Sequence, residues 1–156
     1  MDIKSGKPYP ANALSNFAPH EFFVDGVRCA SMEGFLQSLK FKNPDMQEAI
    51  CRMVGFAAKK AGSNKNWKTK QVLYWRGKEY KRNSGEYTDL LWRAYCALAL
   101  NKKFRKALLA TGDATLTHSI GRNKINETVL TRQEFCGILH ALRNEYKTYE
   151  YKRKEN

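Results

Sequence analysis

Residues 21–40 read Glu-Phe-Phe-Val-Asp-Gly-Val-Arg-Cys-Ala-Ser-Met-Glu-Gly-Phe-Leu-Gln-Ser-Leu-Lys, and this stretch carries a hairpin signal followed directly by a helix signal. Asp25 and Gly26 stand between two short apolar runs. Because both residue types tolerate a positive φ, they predict a tight β-turn. Ser31 lies where the N-cap of a helix would stand, since its hydroxyl can accept a hydrogen bond from a first-turn amide. The sequence therefore predicts a β-hairpin that leads into a helix over residues 31–40.

Two stripes of side chains run side by side along this predicted helix. The apolar stripe follows the spacing i, i+3, i+4, i+7 and is expected to face the core. It consists of Met32, Phe35, Leu36 and Leu39. The polar stripe consists of Glu33, Gln37 and Lys40, which fall within roughly 60° of one helix face. Because the polar stripe borders the buried side, we expect it to line the wall of a pocket.

A second helix and a second hairpin are predicted next along the chain. The helix begins at Asn43-Pro44, because proline suits the first helical position, and it ends at Gly62. Its predicted apolar face consists of Met46, Ala49, Ile50, Met53 and Ala57. Residues 72–82, around Gly77, predict a short hairpin or an irregular segment.

The remaining residues predict three more helices. Two of them cover residues 86–100 and 102–110, and Thr131 with Glu134 forms a capping-box signal that starts the last one. The residues between lack helical periodicity and predict a strand-like stretch and a loop. We therefore expect a mainly helical α+β fold with one or two small hairpins. One domain would cover residues 1–146, and a charged tail over residues 147–156 would fray.

The charge of the chain limits the class of partner. The 156 residues include 28 basic and 15 acidic side chains, which give a net charge of +13, and 42% of the residues are hydrophobic. Such an excess favours a polyanionic partner: a nucleic acid, a nucleotide-bearing substrate or, less readily, a membrane surface. The alternative is a basic protein kept soluble by its charge. The sequence is silent on the oligomeric state.

The four cysteines form no metal-binding or disulfide motif. Cys29, Cys51, Cys96 and Cys136 are widely spaced and no Cys-x-x-Cys occurs, so we expect reduced, mostly buried thiols and neither a metal nor a cofactor. The N-terminal residues lack the apolar core of a signal peptide and no long apolar run exists. The sequence therefore predicts a soluble, cytoplasmic protein without a membrane partner.

Six short motifs occur in order along residues 14–143. They are Leu14-Ser-Asn-Phe17, Phe23-Val-Asp-Gly26, Ser31-Met-Glu33 with Gln37 and Lys40-Phe41, Asn66-Trp67, Asn101-Lys-Lys-Phe104 with Leu108-Leu-Ala-Thr-Gly-Asp113, and the closing helix Phe135 to Arg143. As a set they resemble the NADAR family, whose founding members are called YbiA-like. The resemblance implies a single YbiA-like helical domain.

One loop departs from the family pattern. Many members follow the Thr-Gly-Asp segment with an acidic residue and a Trp-Gly-x-Gly loop, whereas this chain has His118-Ser-Ile-Gly121 and no tryptophan there. That loop helps to build the base-contacting side of the pocket in the family. The resemblance is therefore to a divergent branch, and it leaves the substrate open.

The resemblance implies cleavage of an N-glycosidic bond. One branch of the family hydrolyses phosphoribosylated intermediates of riboflavin synthesis, and another removes ADP-ribose from guanine in nucleic acid, reversing a DNA-modifying toxin. The net charge of +13 favours ADP-ribosylated nucleic acid as the partner. The alternatives are a phosphoribosylated small molecule as substrate, and a non-catalytic module that binds ADP-ribose or nucleic acid. An antitoxin or anti-defence role follows by analogy only.

Glu33 and Lys40 are the predicted catalytic residues. Cleavage builds positive charge on the ribose C1, and a nearby carboxylate stabilises that charge or activates water. In a first helical turn the macrodipole favours the ionised form of Glu33, which suits a base better than a proton donor. Lys40 either anchors a phosphate or, with a depressed pKa, attacks C1 of the ring-opened sugar to form a Schiff base. The alternatives are an ordinary first-turn glutamate and a solvated lysine.

Three polar residues near the predicted helix or the altered loop are expected to contact the substrate. Gln37 would bind ribose hydroxyls, unless its amide bond is structural. Asn16 would contact ribose or stabilise its own loop. His118 would donate a proton to the leaving nitrogen, because histidine exchanges protons near neutral pH, or it would be a structural histidine.

Three further residues complete the predicted substrate contacts. Trp67 stands alone in a polar segment and would stack on a base, or it would close the helical core. Asp113 follows Gly112 and would be a second polar group of the site, or it would cap the next turn. Arg122 would contact phosphate, or it would be a solvated loop charge.

Overall fold

The first hairpin forms as its turn residues predict. In the computed structural model, which describes residues 1–155, β1 (Phe22–Val24) pairs antiparallel with β2 (Val27–Cys29). Asp25 and Gly26 form the two-residue turn with φ values of 49° and 80°, which is the pattern of a type I′ turn. Alternate residues of both strands are buried, so one face of the hairpin lies against the core.

Helix α1 (Met32–Ser38) follows the hairpin at once and carries the polar stripe. Ser31 is its N-cap, as predicted, since its Oγ accepts a hydrogen bond from the Gly34 amide at 3.1 Å. The helix ends two residues before Lys40, which lies in the turn that follows. A Cβ added at Gly34 would lie 2.7 Å from the Ile50 carbonyl oxygen, so the absent side chain lets α1 pack directly against the next helix.

The prediction of one continuous helix from Asn43 to Gly62 is wrong. The chain forms α2 (Pro44–Cys51) and α3 (Gly55–Gly62), and Gly55 at the break has a φ of 59°. The carbonyl of Cys51 accepts a hydrogen bond from the Ala30 amide at 2.8 Å, and the carbonyl of Met53 accepts one from the Ser31 hydroxyl at 2.8 Å. The β2–α1 junction thus satisfies the carbonyls that a continued helix would have used.

The break also changes which side chains face inward. The buried residues of α2 and α3 are Gln47, Ile50, Cys51, Ala58 and Gly62. The predicted apolar face is therefore correct only at Ile50, with Met53 partly buried, whereas Met46, Ala49 and Ala57 are exposed. The buried face of α2 is formed by Gln47, Ile50 and Cys51, which leaves Met46 and Ala49 on its outer side. The break then restarts the helix, so that Ala58 and not Ala57 faces inward.

The second hairpin is formed by β3 (Val72–Trp75) and β4 (Lys78–Lys81), with Arg76 and Gly77 at positive φ in its turn. The buried Gln47 amide joins this hairpin to the helices. Its Nε2 donates to the Tyr74 carbonyl at 2.8 Å and to the Ser38 carbonyl at 3.2 Å, and its Oε1 accepts from the Arg76 amide at 3.1 Å. All of its polar atoms are satisfied, which is what burial of an amide requires.

Three longer helices complete the domain: α4 (Gly85–Leu98), α5 (Lys102–Ala110) and α6 (Arg132–Glu155). The predicted capping box is present, because the Thr131 amide donates to Glu134 Oε1 at 2.8 Å and the Glu134 amide donates to Thr131 Oγ at 3.0 Å. Aromatic side chains that are less than 2% exposed fill the core: Phe35, Tyr87, Tyr95, Phe104 and Phe135. The mainly helical α+β class with small hairpins is confirmed.

The ends of the chain differ in their packing. Residues 147–155 of the predicted tail continue α6 as a largely exposed helix, and Asn156 lies outside the described residues. Near the other end, Asp2 pairs in parallel with Thr117, the one strand-like contact in the stretch between α5 and α6. Across residues 1–155, no helix combines the length and the apolar character needed to cross a membrane.

Candidate active site

A cavity of about 380 Å³ opens between α1, α3 and the loop that precedes α6. Seven of the eight predicted site residues line it: Asn16, Glu33, Gln37, Lys40, Trp67, His118 and Arg122. They come from four separate parts of the chain, which the fold brings together around the polar stripe of α1.

Glu33 lies at the wall of the cavity and is held at both its backbone and its side chain. Its amide donates to the Asn16 carbonyl at 2.9 Å, and its Oε1 accepts from Gln37 Nε2 at 2.9 Å. Burial raises the pKa of the Glu33 carboxyl, although the Gln37 hydrogen bond and the Lys40 charge oppose this shift. Desolvation outweighs the predicted effect of the helix end, which favours the ionised form, so the pKa is raised on balance.

Gln37 is 7% exposed and its two amide atoms have different surroundings. Nε2 bonds to Glu33, whereas Oε1 has no hydrogen-bond partner among the described residues. A Cβ added at Gly62 would lie 1.9 Å from this Oε1, so any side chain at position 62 would displace the Gln37 amide. The Gln37 amide therefore has a structural role, which is to hold the Glu33 carboxylate in place.

Lys40 reaches back from the turn after α1 to the end of α3. Its Nζ donates to the Gly62 carbonyl at 3.3 Å. Burial lowers the pKa of the Lys40 amine, while the Glu33 carboxylate partly opposes that shift. A lowered pKa increases the neutral fraction, which is the nucleophilic form of an amine.

Asn16 is positioned by the buried core. Its Oδ1 accepts a hydrogen bond from the Tyr95 hydroxyl at 2.6 Å, and the Tyr95 ring is fully buried. Because its carbonyl also accepts the Glu33 amide, Asn16 connects the first residues of α1 to α4. Asn16 thus stabilises its own loop and presents itself at the cavity wall at the same time.

His118 is held by the N-terminal segment. Its Nδ1 lies 2.7 Å from the Ile3 carbonyl oxygen, and because a carbonyl only accepts, Nδ1 carries a proton. Nε2 is therefore the ring nitrogen left to exchange a proton with a ligand. The neighbouring Ser119 bonds to both carboxylate oxygens of Asp2, and the His118 ring packs edge-on against Phe135. Nothing in the sequence pattern indicated that residues 2 and 3 support this loop.

Trp67 and Arg122 lie at opposite extremes of exposure. The Trp67 side chain belongs to the hydrophobic core and is only 5% exposed, so closing the core is its main structural role. The Arg122 side chain is 66% exposed, and its guanidinium lies 3.9 Å from Glu127. Its backbone carbonyl accepts the Arg132 amide at 2.8 Å, which fixes the loop at the start of α6.

Asp113 is not part of the cavity, which corrects its predicted place in the site. Its carboxylate is fully exposed and pairs with the Lys147 ammonium, which lowers the pKa of Asp113. Asp113 follows the α5 C-terminus at Gly112, whose φ of 60° turns the chain there. The Thr-Gly-Asp motif therefore brings Asp113 to α6 and not to the polar stripe of α1.

Three lysines of the cavity were missing from the predicted site. Lys59 comes from α3, and Lys65 and Lys68 come from the polar segment that follows it. Together with Lys40 and Arg122 they place five cationic side chains around a cavity. Among residues 1–155, the carboxylates that line it are Glu33 and Glu127. The high density of lysines in residues 59–70 is the sequence feature that could have indicated these three residues. Such a cavity attracts an anionic ligand.

The fold is similar to that of a solved bacterial protein structure. The NMR structure of the Escherichia coli protein YbiA superposes with a TM-score of 0.62, over 97% of this chain and 89% of that chain, at 18% identity. This likeness concerns the fold alone and confirms the YbiA-like architecture that the motifs implied.

The sequence comparisons point to bacteriophages. A protein of Enterobacteria phage T4, described as an uncharacterized 17.1 kDa protein in the Gp30-rIII intergenic region, is 39% identical over 148 residues. The match covers 92% of this chain and 97% of the T4 protein. The sequence model of the family described as bacteriophage protein GP30.3 matches residues 8–144. The chain therefore belongs to the bacteriophage GP30.3 protein family.

Proposed function

We propose that the protein is an N-glycosidase that hydrolyses the bond between a ribosyl C1 and a base nitrogen, and that it removes ADP-ribose from guanine in nucleic acid. The observation that carries the proposal is the Glu33 carboxylate, held by Gln37 at the wall of a cavity with five cationic side chains. The YbiA-like fold and the resemblance to the NADAR motifs support the same reaction class.

In the proposed reaction, Glu33 acts on the developing charge at C1. The oxygen of a water molecule bonds to C1 and the C1–N electron pair leaves with the base nitrogen. The ionised Glu33 stabilises the positive ribose and takes the proton of the water. Because Glu33 is largely removed from water, its attraction for the positive ribose is stronger than it would be in bulk solvent. The raised pKa also makes the carboxylate a stronger base. A protonated His118 Nε2 would return a proton to the leaving base.

The cationic side chains account for the phosphates of the substrate. Lys59, Lys65 and Lys68 lie on the α3 side of the cavity, and Arg122 lies on the loop side. A pyrophosphate between them would be neutralised from two directions. The volume of about 380 Å³ lies within the range of roughly 300–1,000 Å³ typical of small-ligand sites. The cavity thus suits a single ADP-ribosyl group, while a nucleic acid strand would remain outside.

Mass spectrometry of products released from a panel of ADP-ribosylated oligonucleotides tests this function. We expect the wild type to release free ADP-ribose from modified guanine. The Glu33→Gln variant should bind the substrate and lose activity by a factor of about 100 or more. Glu48→Gln is the matched control, because Glu48 is exposed on α2 and does not line the cavity.

Three outcomes would contradict the proposal. Full activity of Glu33→Gln would remove Glu33 from the chemistry. Turnover of a phosphoribosylated pyrimidine, without turnover of modified nucleic acid, would select the small-molecule N-glycosidase. Tight binding of ADP-ribose or the oligonucleotide without any product would select a non-catalytic binding module.

A further inference from the structure

A second depression, of about 700 Å³, shares two chain segments with the active-site cavity. In the first segment, Lys65 and Lys68 face the cavity while Lys70 and Gln71 face the second depression. In the second segment, Arg122 faces the cavity, and the residues that follow it face the second depression. We call this depression the basic groove. It is lined by Lys70, Gln71, Val72, Lys81, Arg82, Asn83, Asn123, Lys124, Ile125 and Asn126.

The basic groove carries uncompensated positive charge. Its lining contains no Asp or Glu, and Lys70, Lys81 and Lys124 are exposed and form no salt bridge within residues 1–155. Arg82 is different, because it is 2% exposed and paired with Glu134. Three free ammonium groups therefore face the same depression, next to side-chain amides that can donate hydrogen bonds.

Hydrogen bonds hold the two walls of the basic groove together. Gln71 Nε2 donates to the Asn126 carbonyl and to the Lys68 carbonyl, each at 2.9 Å. The Arg82 amide donates to the Gln71 carbonyl at 2.9 Å, and Arg82 Nε donates to the Thr128 carbonyl at 2.8 Å. The groove is therefore built before any ligand arrives, which reduces the ordering that binding would require.

We propose that the basic groove binds the phosphodiester backbone of a single strand next to the nucleotide whose ADP-ribosyl group lies in the cavity. This inference rests on the proposed function, because it extends that substrate beyond the cavity. The base bonded to C1 must turn toward the mouth of the cavity and therefore leave its stack, which favours a single strand over a duplex. The three lysines would contact successive phosphates, and the 40% exposed Ile125 would lie against a base or sugar.

The test is the binding of an unmodified, fluorescein-labelled 12-nucleotide single-stranded DNA, followed by fluorescence anisotropy at several salt concentrations. The variant is the triple substitution Lys70→Ala, Lys81→Ala and Lys124→Ala. We expect its affinity to fall by a factor of about ten or more. The slope of log K against log salt should fall by about 2, since each lost phosphate contact accounts for about 0.7 in single strands.

The control removes the same charge elsewhere on the molecule. Lys102, Lys103 and Lys106 are exposed on α5 and line neither the cavity nor the basic groove. The triple alanine variant at these positions should keep the wild-type salt slope and an affinity within about twofold of the wild type. Thermal unfolding of both variants verifies that they are folded, as exposed lysines permit.

Three results would overturn the inference: absence of wild-type binding to the DNA, unchanged DNA binding by the groove variant, or an equal loss of affinity and slope in the two triple variants. None of them depends on cleavage, since the DNA carries no ADP-ribose. Release of ADP-ribose by the wild type, combined with unchanged DNA binding by the groove variant, would reject the groove and leave the glycosidase intact. Loss of DNA binding only in the groove variant would support the groove even if the wild type released nothing.

Discussion

Gln37 Nε2 donates a hydrogen bond to Glu33 Oε1 at 2.9 Å, across one turn of α1. This bond places the carboxylate and stabilises its ionised form, whereas burial of the same carboxylate favours the protonated form. Burial is the larger effect, so the pKa of Glu33 is raised. The reactivity proposed for Glu33 therefore depends on a side chain one helical turn away.

Replacement of Gln37 is expected to change the pH dependence of the reaction. Gln37→Leu removes the hydrogen bond that lowers the pKa of Glu33, so this pKa should rise further. Because the ionised carboxylate is the proposed base, activity rises as pH increases through the pKa of Glu33. The rising limb of the pH–kcat/KM profile should therefore move to higher pH in Gln37→Leu. Gln133→Leu, at an exposed position on α6, should leave the limb in place.

Neutralising Glu33 is expected to stabilise the protein at neutral pH. An acid with a raised folded-state pKa binds more protons when folded, so stability falls as pH rises from its unfolded-state pKa through its folded-state pKa. Glu33→Gln replaces the ionisable carboxyl with a neutral amide, so this loss of stability with rising pH disappears. Its melting temperature should exceed that of the wild type by a few degrees at pH 7, on the order expected for about 1 kcal/mol. At pH 4, where Glu33 is largely protonated in both states, the difference should shrink. Equal melting temperatures at pH 7 would contradict a buried, destabilised carboxylate.

Gly62 is expected to be intolerant of any side chain. A Cβ there would lie 1.9 Å from Gln37 Oε1, and the Gly62 carbonyl accepts the Lys40 ammonium. Gly62→Ala should therefore displace Gln37 and lower kcat by a factor of roughly 10 to 100, since small displacements at a reaction centre have effects of this size. Gly137→Ala is the control, because Gly137 lies on α6 and its added methyl group would have no contact closer than 4 Å. That variant should keep its activity and gain about 0.5–1 kcal/mol in stability.

Lys40 is expected to be trapped on the released sugar by reduction. Its lowered pKa increases the neutral amine fraction, and a neutral amine can attack the C1 aldehyde of the ring-opened ADP-ribose, forming an imine with loss of water. Borohydride added during turnover should give a covalent adduct that peptide mass spectrometry places on Lys40. Lys40→Arg keeps a positive charge but cannot form the imine, so it should give no adduct. Turnover without any adduct, and with Lys40→Arg fully active, would assign Lys40 to phosphate binding.

The ion pair between the buried Arg82 and the half-buried Glu134 is expected to stabilise the fold. Arg82 Nη2 lies 2.6 Å from Glu134 Oε1, and Glu134 also completes the capping box of α6. Glu134→Ala leaves the 2% exposed Arg82 charge unpaired and should destabilise the fold by about 3–5 kcal/mol in urea unfolding. Glu86→Ala removes only the exposed pair with Lys78, so its effect should stay within about 1 kcal/mol.

Local sequence signals predicted most elements of the fold correctly. The type I′ turn at Asp25-Gly26, the Ser31 cap and the Thr131–Glu134 capping box each depend on interactions within a few residues. Such interactions are legible in sequence because they need no distant partner. The helix predicted from Asn43 to Gly62 failed for the opposite reason. Its break depends on hydrogen bonds from Ala30 and Ser31, more than twenty residues earlier in the chain.

The candidate site also has some features that local sequence determines and others that only tertiary packing determines. The spacing of Glu33 and Gln37 follows from helix geometry alone, so the sequence by itself determined that these two side chains share one wall. Lys40 lies in the turn after α1, and its place at the same wall depends on its contact with the Gly62 carbonyl. The raised pKa of Glu33, the support of His118 by Ile3 and the exclusion of Asp113 needed the tertiary structure. Desolvation and convergence of distant segments are properties of packing. They depend on which surfaces meet, and a local residue pattern does not contain that information.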